Sequence, residues 1–109
     1  MIKVLIADDH AIVRHGLKKL IAETPDMTVA GEADSGLEAL RIIRGGKLDV
    51  VLMDIAMPGK NGIETLKQIR SEWPNLPVLI LSMYPEDQYA VRLIKAGAAG
   101  YLTKESAPE

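Results

Sequence analysis

The stretch Lys3-Val4-Leu5-Ile6-Ala7-Asp8-Asp9 is an aliphatic run that stops abruptly at two acids. A strand with one face in water alternates apolar and polar residues, whereas a strand covered on both faces is apolar throughout, and this run is of the second kind. The pattern returns at Val50-Val51-Leu52-Met53 before Asp54, and at Val78-Leu79-Ile80-Leu81 before Ser82. With shorter runs at 29–33 and 100–102, five strands are expected over 3–7, 29–33, 50–53, 78–81 and 100–102.

Between the strands the apolar period becomes helical. A helix over 12–22 puts Ile12, Leu17, Leu20 and Ile21 near one face, one over 37–44 does the same for Leu37, Leu40 and Ile43, and both stripes are expected to face a sheet. Ser35 is placed to cap the second helix while Glu38 reaches back to complete a capping box, and Gly45-Gly46 ends it. A third helix over 62–73 stops before Pro74, and a fourth over 87–96 is closed by Gly97. Strict alternation with right-handed crossovers predicts an α/β fold, an open, doubly wound, five-stranded parallel sheet in the flavodoxin-like order 2-1-3-4-5. Ser106-Ala107-Pro108-Glu109 reads as the start of another helix, so the fifth helix is expected to be truncated or absent. No internal repeat or linker divides the chain.

The bulk properties narrow the function classes. A chain of 109 residues with 48% hydrophobic and 26% charged residues is a folded single domain rather than a disordered segment. The net charge is -2 and the lysines and arginines are scattered, so this segment has no basic stripe with which to bind DNA by itself. The absence of cysteine removes disulfides, thiolate metal sites and thiol catalysis. Val4-Leu5-Ile6-Ala7 is too short for a signal segment or a membrane span, and a cytoplasmic location without a membrane partner is expected.

Doubly wound sheets gather functional groups at the carboxyl ends of their strands, beside the point where strand order reverses. There this sequence puts Asp8-Asp9, Asp54, Ser82 and Thr103-Lys104. Three carboxylates held together repel, and a hard divalent ion such as Mg²⁺ relieves the repulsion while leaving a carboxylate oxygen able to attack phosphorus. Lys104 offers a point charge and Ser82 a hydroxyl for the developing negative charge. Singly, each has a plainer reading: Asp8-Asp9 as a helix cap, Asp54 as the opening of a turn, Ser82 as a loop hydroxyl, Lys104 as a solvated charge. Their joint arrival at strand ends favours a phosphoryl-transfer site.

At these residues the chain resembles the response-regulator receiver family over essentially its whole length. The matching residues are Asp8-Asp9, Asp54 with Met57-Pro58 and Asn61-Gly62, Ser82, Ala96-Gly97-Ala98, and Gly100-Tyr101-Leu102-Thr103-Lys104. The segment from Asp9-His10 to Gly16-Leu17 further resembles the NarL/FixJ subfamily, whose members usually carry a C-terminal helix-turn-helix domain. The resemblance implies that Asp54 is the phosphoacceptor and that Asp8, Asp9, Asp54 and the Ala56 backbone carbonyl hold Mg²⁺, with Mn²⁺ able to substitute. It implies that Lys104 contacts the phosphoryl group and that Ser82 turns toward it after transfer. Tyr101 matches the switch aromatic, and equally reads as a partly buried edge-strand aromatic. Ala56 and Tyr84 stand at the positions that tune phosphoryl lifetime, and their identities predict slow self-hydrolysis. The implied partners are a sensor histidine kinase, a second copy on phosphorylation, and DNA only through an output domain beyond this segment. His10 and His15 are expected to be surface or capping residues of the first helix.

Three rival readings fit less well. A flavin carrier of this fold needs a phosphate-cradling loop and ring-stacking aromatics, where this chain has two acids and no phenylalanine. A haloacid-dehalogenase-like phosphatase resembles the site but has an aspartate at the position of Ala56. A degenerate receiver acting only as an interaction module would not need the complete acidic set.

Overall fold

The computed structural model describes residues 1–54, 62–82, 95 and 97–103, with the backbone path alone at 62, 63, 82 and 101–103. In chain order the elements are β1 (Ile2–Ala7), α1 (Ala11–Ala22), β2 (Met27–Ala33), α2 (Gly36–Gly45), β3 (Val50–Asp54), α3 (Gly62–Glu72), β4 (Val78–Ser82) and β5 (Gly100–Thr103). The strands form one parallel sheet in the order β2-β1-β3-β4-β5. This is the expected order, with its reversal between β1 and β3. The expected helix over 87–96 lies outside the described residues except for Lys95, and the expected helix start at 106–109 lies outside them as well.

The apolar runs are continuous because the sheet is covered on both faces. From β1, Leu5 and Ala7 join Val51, Met53, Val78 and Ile80 in a core that includes Ala39, Leu40 and Ile43 of α2 and Leu66 and Ile69 of α3. Val4 and Ile6 point the other way, into a second core with Leu17 and Ile21 of α1 and Leu81 of β4. Successive residues of one strand thus enter different cores, as the two-residue repeat of a strand dictates.

Two of the expected inward residues face water instead. Ile12 is 87% exposed and Leu37 65% exposed. The buried side of α1 is set by Leu17 and Ile21, and at 3.6 residues per turn Ile12 falls roughly 140° away from Leu17. The buried side of α2 runs through Gly36, Ala39, Leu40 and Ile43, and Leu37 lies about a quarter turn from Gly36. The capping of α2 also differs in part from expectation. Ser35 Oγ accepts the Glu38 N–H at 3.1 Å, but the Glu38 carboxylate accepts from Arg41 rather than reaching back to Ser35.

Strand register sets the level of the site. Ala7 stands opposite Ala33 of β2 and Met53 of β3, so Asp8 and Asp54, the next residues on their chains, stand at the same level at the carboxyl end of the sheet. Asp54 is paired with Leu81, and Ser82 with Thr103, which makes Asp54 and Ser82 the last residues of their strands rather than the first residues of loops. On the far side of β4, Gly97 turns the chain toward β5 with a φ of 115°.

Candidate functional site

The site begins with the way β1 gives way to α1. Past Ala7 the chain has no strand partner for long: the Asp8 N–H still donates to Ala33 O at 2.9 Å, and α1 starts at Ala11. His10 caps the helix in extended geometry, and its backbone N–H donates at 2.8 Å to Asp8 Oδ1. The Asp8 carbonyl accepts from Arg14 Nη1 at 2.5 Å. Asp8 is therefore gripped by β2 and by α1, and its side chain is directed into the end of the sheet, where it is buried.

Asp54 arrives beside it on β3, flanked by β1 and β4, and is also buried. Asp9 is more open, with 30% of its side chain exposed. His10 Nδ1 lies 2.9 Å from Asp8 Oδ1, 3.2 Å from Asp9 Oδ1 and 3.6 Å from Asp54 Oδ2. One ligand atom from each of Asp8, Asp9, His10 and Asp54 falls within 4.8 Å of every other. Carboxylates this close repel strongly in a partly buried setting, and a cation among them removes the conflict. Oxygen donors of this kind suit a hard divalent ion.

Of the residues singled out in the sequence, Asp8, Asp9 and Asp54 are brought together. The backbone of Ser82 stands at the carboxyl end of β4, beside β3, and that of Tyr101 stands on β5 opposite Ile80. Ala56, Tyr84 and Lys104 lie outside the described residues. Two participants went unassigned in the sequence. His10, expected at the surface or as a cap, occupies the N-cap position without a side-chain cap hydrogen bond, and its ring enters the acidic cluster instead; its place directly after the acidic pair is the available signal. Arg14 contacts Asp8 across the first turn of α1, a relation that no local motif announces.

Arg14 also links the site to β2. Its Nε donates to Glu32 Oε1 at 3.3 Å, and Glu32 Oε2 lies 2.9 Å from Lys18 Nζ. The Lys18 hydrogen bond, assisted by Arg14, holds the Glu32 carboxyl below the usual carboxylate range. A broad depression lined by Met1, Ile2, Met27 and Val50 lies at the opposite, amino end of the strands, away from the acidic cluster. Among the described residues no helix is long and apolar enough to cross a membrane.

A sequence profile of the response regulator receiver domain matches residues 4–109. The chain belongs to the response regulator receiver family. It is 43% identical over 104 residues to the response regulator GacA of Pseudomonas aeruginosa, covering 95% of this chain and 49% of that protein. The signal receiver domain of the putative response regulator NarL from Mycobacterium tuberculosis superposes with a TM-score of 0.91 at 34% identity, over 97% of this chain and 86% of that one. RcsB of Salmonella enterica serovar Typhimurium, in a structure bound to promoter rprA with the phosphomimetic BeF3-, has a TM-score of 0.91 at 27% identity over 98% of this chain and 62% of that one. This receiver domain is thus a signalling domain of the two-component class, NarL/FixJ-like, and spans about half the length of the curated relatives it matches.

Proposed function

We propose that a sensor histidine kinase passes a phosphoryl group to Asp54 in a Mg²⁺-dependent reaction, and that the phosphorylated receiver presents a changed protein-protein surface. The observation that carries this reading is the meeting of Asp8, Asp9 and Asp54 at the carboxyl end of the sheet, with His10 among them. The donor set fits the ion: two buried carboxylates and one open to water suit a hard cation that keeps part of its water shell. Asp8, Asp9 and Asp54 would hold Mg²⁺, with the backbone carbonyl of Ala56 as a further ligand and Mn²⁺ as a substitute. When bound, the ion offsets the repulsion among the carboxylates and supplies positive charge to the phosphoryl oxygens.

Asp54 carries the bond chemistry. One of its carboxylate oxygens attacks phosphorus; an O–P bond forms as the P–N bond to the donor histidine breaks, and the donor nitrogen keeps the electron pair. In this proposal Lys104 would supply positive charge to the equatorial oxygens and Ser82 a hydroxyl to the transferred group. Movement of Ser82 draws the end of β4 with it, and Tyr101 on β5 follows as the switch aromatic. Ala56 has no side chain able to aim a water at phosphorus, and the identity of Tyr84 at the second lifetime-tuning position also favours slow self-hydrolysis, the domain acting on its own phosphoryl group only.

Residues 1–109 are, on this reading, the receiver part of a longer cytoplasmic regulator that carries a helix-turn-helix output domain. The twofold greater length of GacA supports this. Phosphorylation favours a homodimer, and DNA is contacted through the output domain alone. Incubation with acetyl phosphate tests the metal dependence: a phosphate adduct is expected with Mg²⁺ and not with excess chelator. An adduct that forms equally under chelation contradicts the reading.

A further inference from the structure

The carbonyl that Arg14 holds belongs to the peptide unit joining Asp8 to Asp9. Because that unit is planar, fixing its orientation fixes the dihedral on either side of it, ψ of Asp8 and φ of Asp9. These two dihedrals decide how the Asp8 and Asp9 carboxylates stand relative to each other. The carbonyl lies in the break between β1 and α1, and the guanidinium supplies its partner at 2.5 Å. The N–H of the same residue is held by Ala33 O at 2.9 Å, so Asp8 is tied on both backbone sides.

The guanidinium is itself braced. Its Nε donates to Glu32 at 3.3 Å, its side chain is only 22% exposed, and Lys18 secures Glu32 from the next turn of α1. Glu32 precedes Ala33 on β2, so one short segment of that strand supports both ends of the clamp. The planar fork of arginine reaches two acceptors on different elements at once, whereas the ammonium of a lysine is a single point at the end of its stem.

We propose that Arg14 is a positioning residue for the metal-binding aspartates, acting through the Asp8-Asp9 peptide unit. This role rests on the Mg²⁺ reading of the site. It differs from a surface ion pair between α1 and β2, which would steady the helix and leave metal affinity unchanged.

The test is calorimetric titration of Mg²⁺ into the intact chain, with initial rates of phosphorylation by acetyl phosphate measured as a function of Mg²⁺. Arg14→Met is expected to weaken the Mg²⁺ midpoint about threefold to tenfold, the range of one ordinary net hydrogen bond, because the ion feels only part of the lost Arg14 contact. Its plateau rate at saturating Mg²⁺ stays near wild type, because the ion enforces the geometry once bound. Arg14→Lys falls between, and keeps the test usable if the methionine variant folds poorly. Glu32→Gln retains an acceptor for Arg14 while losing the charge, and its midpoint is expected to shift less than that of Arg14→Met. Equal midpoints for wild type and Arg14→Met, or equal shifts for Arg14→Met and Glu32→Gln, overturn the role of Arg14. A wild-type chain that takes up no Mg²⁺ overturns the metal reading itself, and this role with it.

Discussion

A single carboxylate oxygen of Asp8 takes both the backbone N–H of His10, at 2.8 Å, and its Nδ1, at 2.9 Å. Its Nδ1 also stands 3.2 Å from Asp9 Oδ1 and 3.6 Å from Asp54 Oδ2, so it neighbours the same carboxylates that would hold a cation. Mg²⁺ strongly prefers oxygen ligands, and the imidazole has to release Asp8 before that oxygen can serve the ion. Replacing His10 by alanine removes about one net hydrogen bond from the metal-free state, and Mg²⁺ binding is expected to tighten about fivefold. Calorimetric titration of Mg²⁺ measures this. Weaker binding in His10→Ala would instead make the imidazole a ligand.

Gly97 is tied to Arg70 by close approach. Its φ is 115°, and a Cβ built on it would stand 2.5 Å from Arg70 Cγ. Arg70 cannot simply leave, since its Nη1 donates to Leu76 O at 3.2 Å. Gly97→Ala is expected to cost about 1–3 kcal/mol, lowering the melting temperature by roughly 5–20 °C. Adding Arg70→Ala should recover only part of the loss, because it relieves the contact and leaves the backbone strain. Thermal unfolding of wild type, Gly97→Ala, Arg70→Ala and the double variant decides this, and a Gly97→Ala chain as stable as wild type would refute it.

Acid should loosen the clamp between α1 and β2. The Glu32 carboxyl is held below its ordinary value of 4.5, chiefly by the Lys18 hydrogen bond. Between the two values the unfolded chain binds the additional proton, so the stabilisation is complete above 4.5 and fades as pH falls through the lower folded value. Wild type is therefore expected to melt slightly higher than Glu32→Gln near neutral pH, by a few degrees at most for a largely exposed pair. The difference should vanish in strong acid. A gap that widens on acidification would contradict the assignment.

How far the sequence carried the fold can be judged from particular residues. Val4 to Ala7 and Val50 to Met53 were readable as covered strands because burial on both faces removes polar residues from them altogether. Ser35 announced α2 because a cap is a local hydrogen bond. Ile12 and Leu37 misled because apolar spacing cannot tell a core residue from one a third of a turn aside; the sheet beneath decides. β2 starts at Met27 rather than Val29 because Ile2 pairs with Met27 and Lys3 with Thr28, which is a property of two strands and not of one. The acidic cluster was legible since strand order brings Asp8 and Asp54 together, while Arg14 reaches Asp8 through the geometry of a helical turn.

The central claim, that Asp54 accepts the phosphoryl group, is tested most directly by intact mass after incubation with acetyl phosphate and Mg²⁺. Wild type is expected to gain the mass of one phosphoryl group, and Asp54→Asn, which is near in shape but lacks the nucleophilic carboxylate, is expected to gain none. An unmodified wild-type chain, or an undiminished adduct on Asp54→Asn, would contradict the account.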